Sequence, residues 1–156
     1  VGLAPGEAGV ALLLERRGAP GLGVAIRAVA AEPTPLDPEP TSAVRGTRLA
    51  AVLSRLRVSS DRTGAQSVLF SDQNGEQWRA EEWAFWGLKL TPDWPPAADV
   101  VLPALSVGDT GAASNALACA LSALALRHRG FAARESLVIG TSIDGRAGAA
   151  LFTSAD

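Results

Sequence analysis

The chain has 156 residues, 47% of them hydrophobic and 19% charged, with 14 Lys and Arg against 16 Asp and Glu and a formal net charge of −2. That composition suits a single globular domain, residues 1–156, with a real core, and it excludes global disorder. The basic residues are scattered without interleaved aromatics, so neither nucleic acid nor an acidic membrane is an expected partner.

Cys119 is the one cysteine and cannot close an internal disulfide. No Cys/His spacing suggests a metal, no cofactor motif appears, and no signal peptide is evident, which points to a reducing cytoplasm. The longest apolar run, about 116–126, is shorter than the roughly 20 residues that span a bilayer. Position 1 is Val and methionine is absent, so the expectation is a processed start or a piece of something longer.

In chain order, Ala8 to Glu15 is a short apolar run between Pro5-Gly6 and the charged turn Glu15-Arg16-Arg17-Gly18, which predicts a buried strand. Leu22 to Ala30 predicts a second. Residues 31–42 carry Pro33, Pro35, Pro38 and Pro40 and are expected to loop, because proline removes amide donors and forces its predecessor toward extended geometry. Leu49, Val52, Leu53 and Leu56 mark one face of a helix over Ala43 to Arg57, with Thr41 or Ser42 as its cap.

Ser67 to Ser71 predicts a strand. Asp72-Gln73-Asn74-Gly75 then turns the chain into a helix over Glu76 to Leu90, with Asn74 and Gln77 spaced as a capping box and Trp83, Trp86 and Leu90 on its buried side. The prolines of Thr91 to Ala97 end it. Asp99 to Ala104 predicts the next strand, and an Ala-rich helix from Thr110 to His128, apolar on nearly every side, is expected to be buried between layers until Gly130 stops it. Ser136 to Ser142 and Ala147 to Thr153 predict a closing hairpin around Asp144-Gly145.

The resulting order, β-β-α-β-α-β-α-β-β, argues for a layered α/β fold whose sheet is mixed, parallel members being joined by helices and the last pair by a tight turn. No internal repeat is evident.

Three stretches carry a resemblance. Gly2-Leu3-Ala4-Pro5-Gly6-Glu7-Ala8-Gly9 with Ala11 to Glu15, the turn Ser106 to Ser114, and the glycine-rich hairpin Val138 to Leu151 resemble, in order and spacing, the C-terminal half of a thiolase-fold β-ketoacyl synthase preceded by the last strand of its N-terminal half. The resemblance covers nearly the whole chain. It implies a thiolase-like half whose family condenses an acyl group with a malonyl carrier thioester, using a cysteine of the other half and two histidines of this one.

At those histidine positions this sequence departs from the family. The His-Gly-Thr-Gly position falls on Asp72-Gln73-Asn74-Gly75 and the Gly-His-Thr position on Gly108-Asp109-Thr110. The family's usual lysine, five residues before the second histidine, falls on Ala104, and its Gly-Phe-Gly-Gly gate aligns loosely to Ser142-Ile143-Asp144-Gly145. Neutral imidazoles donate to a thioester oxygen as it becomes negative, whereas ionised aspartates only accept and would repel it. The resemblance therefore implies a degenerate subunit that shapes an acyl pocket beside a second thiolase-like half or another copy of itself. An acyl carrier protein is a further partner, with Arg45, Arg48, Arg55 and Arg57 as candidate contacts. The alternative is the C-terminal part of an acyltransferase or thioester hydrolase whose nucleophilic cysteine lies elsewhere, with Asp72, Asn74 and Asp109 as candidate catalytic residues at strand ends beside helix starts.

The simpler alternatives stand beside these. Asp109 and Asn74 suit helix N-caps, and Asp72 can shape the same turn. His128 suits the C-terminal end of a helix, Cys119 reads as a small buried hydrophobe, and the tryptophans as packing. Gly21-Leu22-Gly23 lacks the strand and the third glycine of a dinucleotide loop.

Overall fold

Hydrophobic alternation in the C-terminal strands sets the layering. The computed structural model describes residues 4–16, 23–32, 46–58, 67–89, 99–129, 131 and 133–154. Its elements are β1 (Val24–Glu32), α1 (Thr47–Val58), β2 (Ser67–Phe70), α2 (Gln77–Lys89), β3 (Asp99–Val101), α3 (Ala104–Val107), a 3₁₀ turn at Gly111–Ala113, α4 (Ser114–Arg127), β4 (Glu135–Thr141) and β5 (Ala147–Ser154). The strands form one mixed sheet of order β1-β5-β4-β2-β3. β5 runs antiparallel to both neighbours, while β4, β2 and β3 are parallel. The β4–β5 hairpin closes over Gly145, whose φ of 81° is open to glycine at little cost.

Successive residues of β4 and β5 point to opposite faces, and both faces are apolar because both are covered. On one side Leu137, Ile139, Ala147, Ala149 and Leu69 pack with Leu49, Val52, Leu53 and Leu56 of α1 and with Trp86 of α2. On the other, Val138, Phe152, Val68 and Phe70 meet Ala118 and Leu126 of α4. The mixed α/β layering expected from the sequence is therefore present, while the Pro-rich loop expected over 31–42 lies from residue 33 on outside the described residues, with Thr41 and Ser42.

Several boundaries differ. Ala31 and Glu32 belong to β1 rather than to the loop. β3 stops at Val101, and Ala104 opens α3. α1 begins at Thr47, not Ala43, and Leu90 to Ala97 with Gly130 lie outside the described residues. The capping box does not close. Asn74 Oδ1 accepts from the Glu76 amide at 3.0 Å, but Gln77 bonds forward to Glu81 at 2.9 Å instead of reaching back.

One correction and one further feature bear on function. Ala8 to Glu15 is not a strand in this chain: residues 6–16 run without ladder pairing, and Leu12, Leu13 and Leu14 are 48%, 87% and 72% exposed. The physical reason is that a strand needs a partner, and the five-stranded order is already continuous with no interior vacancy. The Ala-rich helix is covered by the described residues on one side, the sheet side, and its expected second layer is not among them. Ala118, Ser122 and Leu126, spaced four apart on one stripe, are buried against the sheet, while Leu124 is 46% exposed. It also begins later than expected, at Ser114, because Gly111–Ala113 winds as a tighter 3₁₀ turn.

Candidate functional site

The C-terminal ends of β2 and β3, α3 and the start of α4 converge on a crevice of about 10 Å³ lined by Ser71, Asp72, Asn74, Gly108, Thr110 and Ser114, among others. Such a volume holds about one water-sized group. Strand ends beside helix starts are where open α/β sheets place their sites, and two of the three candidate residues, Asp72 and Asn74, do line this one.

Asp72 is engaged rather than free. Its Oδ2 accepts from the Thr141 amide at 2.6 Å and from Thr141 Oγ1 at 2.8 Å, and it also pairs with the Arg79 guanidinium. The Asp72 side chain is 5% exposed and that of Arg79 18%. Arg79 donates in turn to the Thr141 carbonyl at 3.0 Å and to Glu76 Oε2 at 2.9 Å, and lies over the Trp78 ring at 4.4 Å. One carboxylate thus ties the end of β2 to the first turns of α2 and to the end of β4. Burial pushes the Asp72 carboxyl above the ordinary aspartate value, against the opposing pull of Arg79 and the Thr141 hydrogen bonds.

Asn74 shapes the entry to α2. Its amide oxygen takes the Glu76 N–H, and its NH₂ donates to Glu76 Oε2 at 3.0 Å. Asp109 turns away from the crevice. Its Oδ1 accepts from the Gly111 amide at 3.0 Å and from Ser114 Oγ at 3.4 Å, so it holds the 3₁₀ turn that precedes α4. The expected position at a helix entry is met, although Ala113, with no side-chain cap bond, is the N-cap of α4 itself. Thr110, which sequence reasoning passed over, faces the crevice and shares a 3.0 Å hydroxyl contact with Ser114.

The backbone of Asp109 anchors the N-terminal arm. Its N–H donates to the Ala4 carbonyl at 2.7 Å, and the Gly6 N–H donates to the Asp109 carbonyl at 2.8 Å, forming a parallel bridge at Pro5. The approach is close enough to demand glycine on both sides. A Cβ on Gly6 would lie 2.0 Å from the Val107 carbonyl oxygen, and one on Gly108 would lie 2.7 Å from that of Pro5.

Beyond the crevice, a groove of about 360 Å³ runs along the flank of α4 over β1, β5 and β4, lined by Val29, Ala31, Val138, Gly140, Gly148 and Ala150 with Asn115 and Cys119 at its rim. Small residues make this floor flat and apolar. Cys119 is half-buried and burial raises its thiol pKa, which suits a packing residue better than a nucleophile. His128 caps α4 at its C-terminal end, Trp83 and Trp86 pack edge to face at 4.6 Å, and Trp94 lies outside the described residues. Of the candidate carrier contacts, Arg55 pairs with Glu32 at 2.8 Å, Arg48 belongs to α1, and Arg45 and the Arg57 side chain lie outside the described residues. Among the described residues no three His, Cys, Asp or Glu side chains gather as a metal cage, and no helix is long and apolar enough to cross a membrane.

No family model matches the sequence, and no curated protein matches it either. Solved structures do. The ishigamide ketosynthase/chain length factor superposes with a TM-score of 0.57 at 21% identity, over 86% of this chain and 36% of that one. A ketosynthase domain of oxazolomycin from Streptomyces albus JA3453 gives 0.61 at 11% identity, over 90% and 32%. A type II polyketide ketosynthase, solved with its acyl-carrier protein and bound to a hexaketide, gives 0.58 at 11% identity, over 83% and 32%. The chain therefore has the thiolase-like ketosynthase fold, and spans about a third of the length of these structures.

Proposed function

We propose that this chain is a catalytically degenerate ketosynthase-like half that acts structurally, packing against a second thiolase-like half and shaping the acyl pocket between them. The observation that carries the reading is the state of Asp72: a carboxylate where the family resemblance places an imidazole, closed onto Arg79 and Thr141. A condensing site needs donors aimed at a developing oxyanion. Here the position holds an acceptor whose bonds already serve to join β2, α2 and β4.

The half-open α4 supports the partner role. Its outer flank and the adjoining groove offer apolar surface of small residues, the kind that lets a second helical layer approach closely. Acyl chemistry of the assembly is then supplied by a cysteine of the companion half, and a carrier protein delivers the thioester to it.

The test uses the assembled protein and a malonyl thioester. Asp72→Asn with Asp109→Asn should leave turnover within about twofold of the parent, while replacing the companion's cysteine abolishes it. Loss of turnover in the double Asn variant, with its fold and assembly verified, would show that the carboxylates take part in chemistry and would favour the acyltransferase or hydrolase reading.

A further inference from the structure

The turn that borders the crevice also carries a reactive dipeptide. Asn74-Gly75 is the one Asn-Gly pair in the chain, whose other asparagine, Asn115, precedes Ala116 inside α4. Glycine after asparagine leaves the next amide nitrogen open to the side-chain carbonyl, because no Cβ shields it and the backbone rotates freely. From the sequence the pair reads only as a turn signal. The structure shows how the side chain is held within that turn.

The Asn74 carboxamide is bent over the nitrogen that follows it. Its Oδ1 accepts from the Glu76 N–H at 3.0 Å, a bond to the amide two residues on, which folds the side chain back across the Gly75 peptide. That N–H stands where negative charge gathers when the carbonyl carbon is attacked, so it is an oxyanion donor already in place. Gly75 itself is exposed, with a φ of 97° and nothing within 4 Å of a Cβ built on it. Among the described residues its N–H makes no hydrogen bond that would have to break. The chain before it is fixed, Asp72 by Thr141 and Arg79, and Gln73 by its 2.8 Å bond to the Arg79 carbonyl. The movement that brings nitrogen to carbon therefore falls on one unconstrained peptide.

We infer that Asn74 is a site of spontaneous covalent modification, closing on the Gly75 nitrogen to a succinimide that reopens as aspartate and isoaspartate. In the first step the Gly75 nitrogen forms a bond to Asn74 Cγ, its proton passes through solvent to Nδ2, and the Cγ–Nδ2 bond breaks to release ammonia. Water then opens the ring. Attack at Cγ gives aspartate, and attack at the main-chain carbonyl of residue 74 gives isoaspartate, whose backbone runs through one further carbon. Water is the only co-reactant, and the inference does not depend on a companion half.

Either product alters the crevice. Glu76 Oε2, which takes the Asn74 NH₂ at 3.0 Å and Arg79 Nε at 2.9 Å, loses the first donor and faces a carboxylate in its place. With Asp72 and Glu76 the turn then holds three acids beside a single guanidinium, at the point where β2 is tied to α2.

The whole chain is incubated in warm, mildly alkaline buffer, folded in one arm and unfolded in urea in the other. Residue 74 is followed by peptide mass spectrometry with fragmentation that separates aspartate from isoaspartate. The folded chain should convert at no less than about a tenth of the unfolded rate, and Asn74 at least about tenfold faster than Asn115. An amide kept by the folded chain and lost by the unfolded one shows that the turn shields Asn74 and overturns the inference. Retention in both arms, or equal conversion at Asn115, overturns it as well. Gly75→Ala should slow conversion at least about tenfold in both arms. The urea arm reads that variant whether or not it folds, and an unchanged rate there refutes the part assigned to Gly75.

Discussion

Arg79→Met tests the central contact of the crevice. It keeps an unbranched apolar stem but removes the guanidinium, both from above the Trp78 ring and from Asp72, whose side chain is 5% exposed. Leaving one member of a buried pair uncompensated costs about 3–5 kcal/mol. Asp72 has an escape, however, because it can take up a proton. Starting from the ordinary aspartate value of 3.8, protonation at pH 7 costs about 4 kcal/mol, at roughly 1.4 kcal/mol per pH unit, and at pH 5 less than about 2. The penalty in the variant is therefore capped at about 4 kcal/mol at pH 7 and halves or better by pH 5. The sign follows from the raised carboxyl: without Arg79 its folded pKa climbs further, so the relative stability of the variant is recovered as pH falls through that value. Urea unfolding of parent and variant at pH 7, 6 and 5, followed by tryptophan fluorescence, measures it. A difference below about 1 kcal/mol, or one that does not change with pH, refutes a buried charge pair as the clamp between β2, α2 and β4.

Asp72 itself should titrate above 3.8 by carboxyl NMR. Its protonated form being favoured by burial, the stability of the parent relative to Asp72→Asn should be greatest at acid pH and fall as pH rises through the folded value; a shift below 3.8 contradicts this. Ser122→Ala strands the Ser136 hydroxyl that it bonds at 2.7 Å between α4 and β4, and should cost about 1–3 kcal/mol in chemical denaturation, with Ser122→Ala plus Ser136→Ala costing less than the two single changes added. Gly6→Ala should release the arm, exposing the amides of Gly6 and Asp109 to fast exchange without unfolding the sheet; retained protection there would contradict the close approach to Val107.

The elements written most plainly in the sequence are those whose partners are local. Alternation in β4 and β5, the Asp144-Gly145 turn, and the Leu49, Val52, Leu53, Leu56 stripe of α1 all rest on neighbours within the chain, and each is found close to where it was expected. The arm and α4 show the limit. Val10 to Leu14 does have strand character, but pairing is a property of two segments, and a period count reads only one. Likewise the all-round apolar character of α4 reports the burial for which the helix is suited, while the chain itself covers the stripe of Ala118, Ser122 and Leu126. At the crevice, Asp72, Asn74 and Asp109 were legible as polar residues at helix entries. Their separate duties were not, since Arg79 and Thr141 lie 7 and 69 residues from Asp72 along the chain.

These two limits have one origin. Asp72 is buried and satisfied by Thr141 and Asp109 is satisfied by its own turn, whereas apolar side chains stand exposed at Leu12, Leu13, Leu14, Val29 and Leu124. A pocket evolving toward catalysis leaves unsatisfied polar groups for the substrate to meet, and a surface evolving toward assembly leaves apolar area for a partner to cover. Asp72 illustrates the difference in energy. An unpaired buried carboxylate would be costly, and pairing it with Arg79 offsets that cost and ties together the junction of three elements. The same rigidity steadies the β4 end that borders the groove, since Thr141 belongs both to the clamp and to the groove lining. On the proposed reading the Asp72 clamp and the open flank of α4 are joined through Thr141, so removing the guanidinium by Arg79→Met is expected to loosen the surface offered to a companion as well as the fold of the chain, whereas Asp72→Asn keeps an acceptor for Thr141.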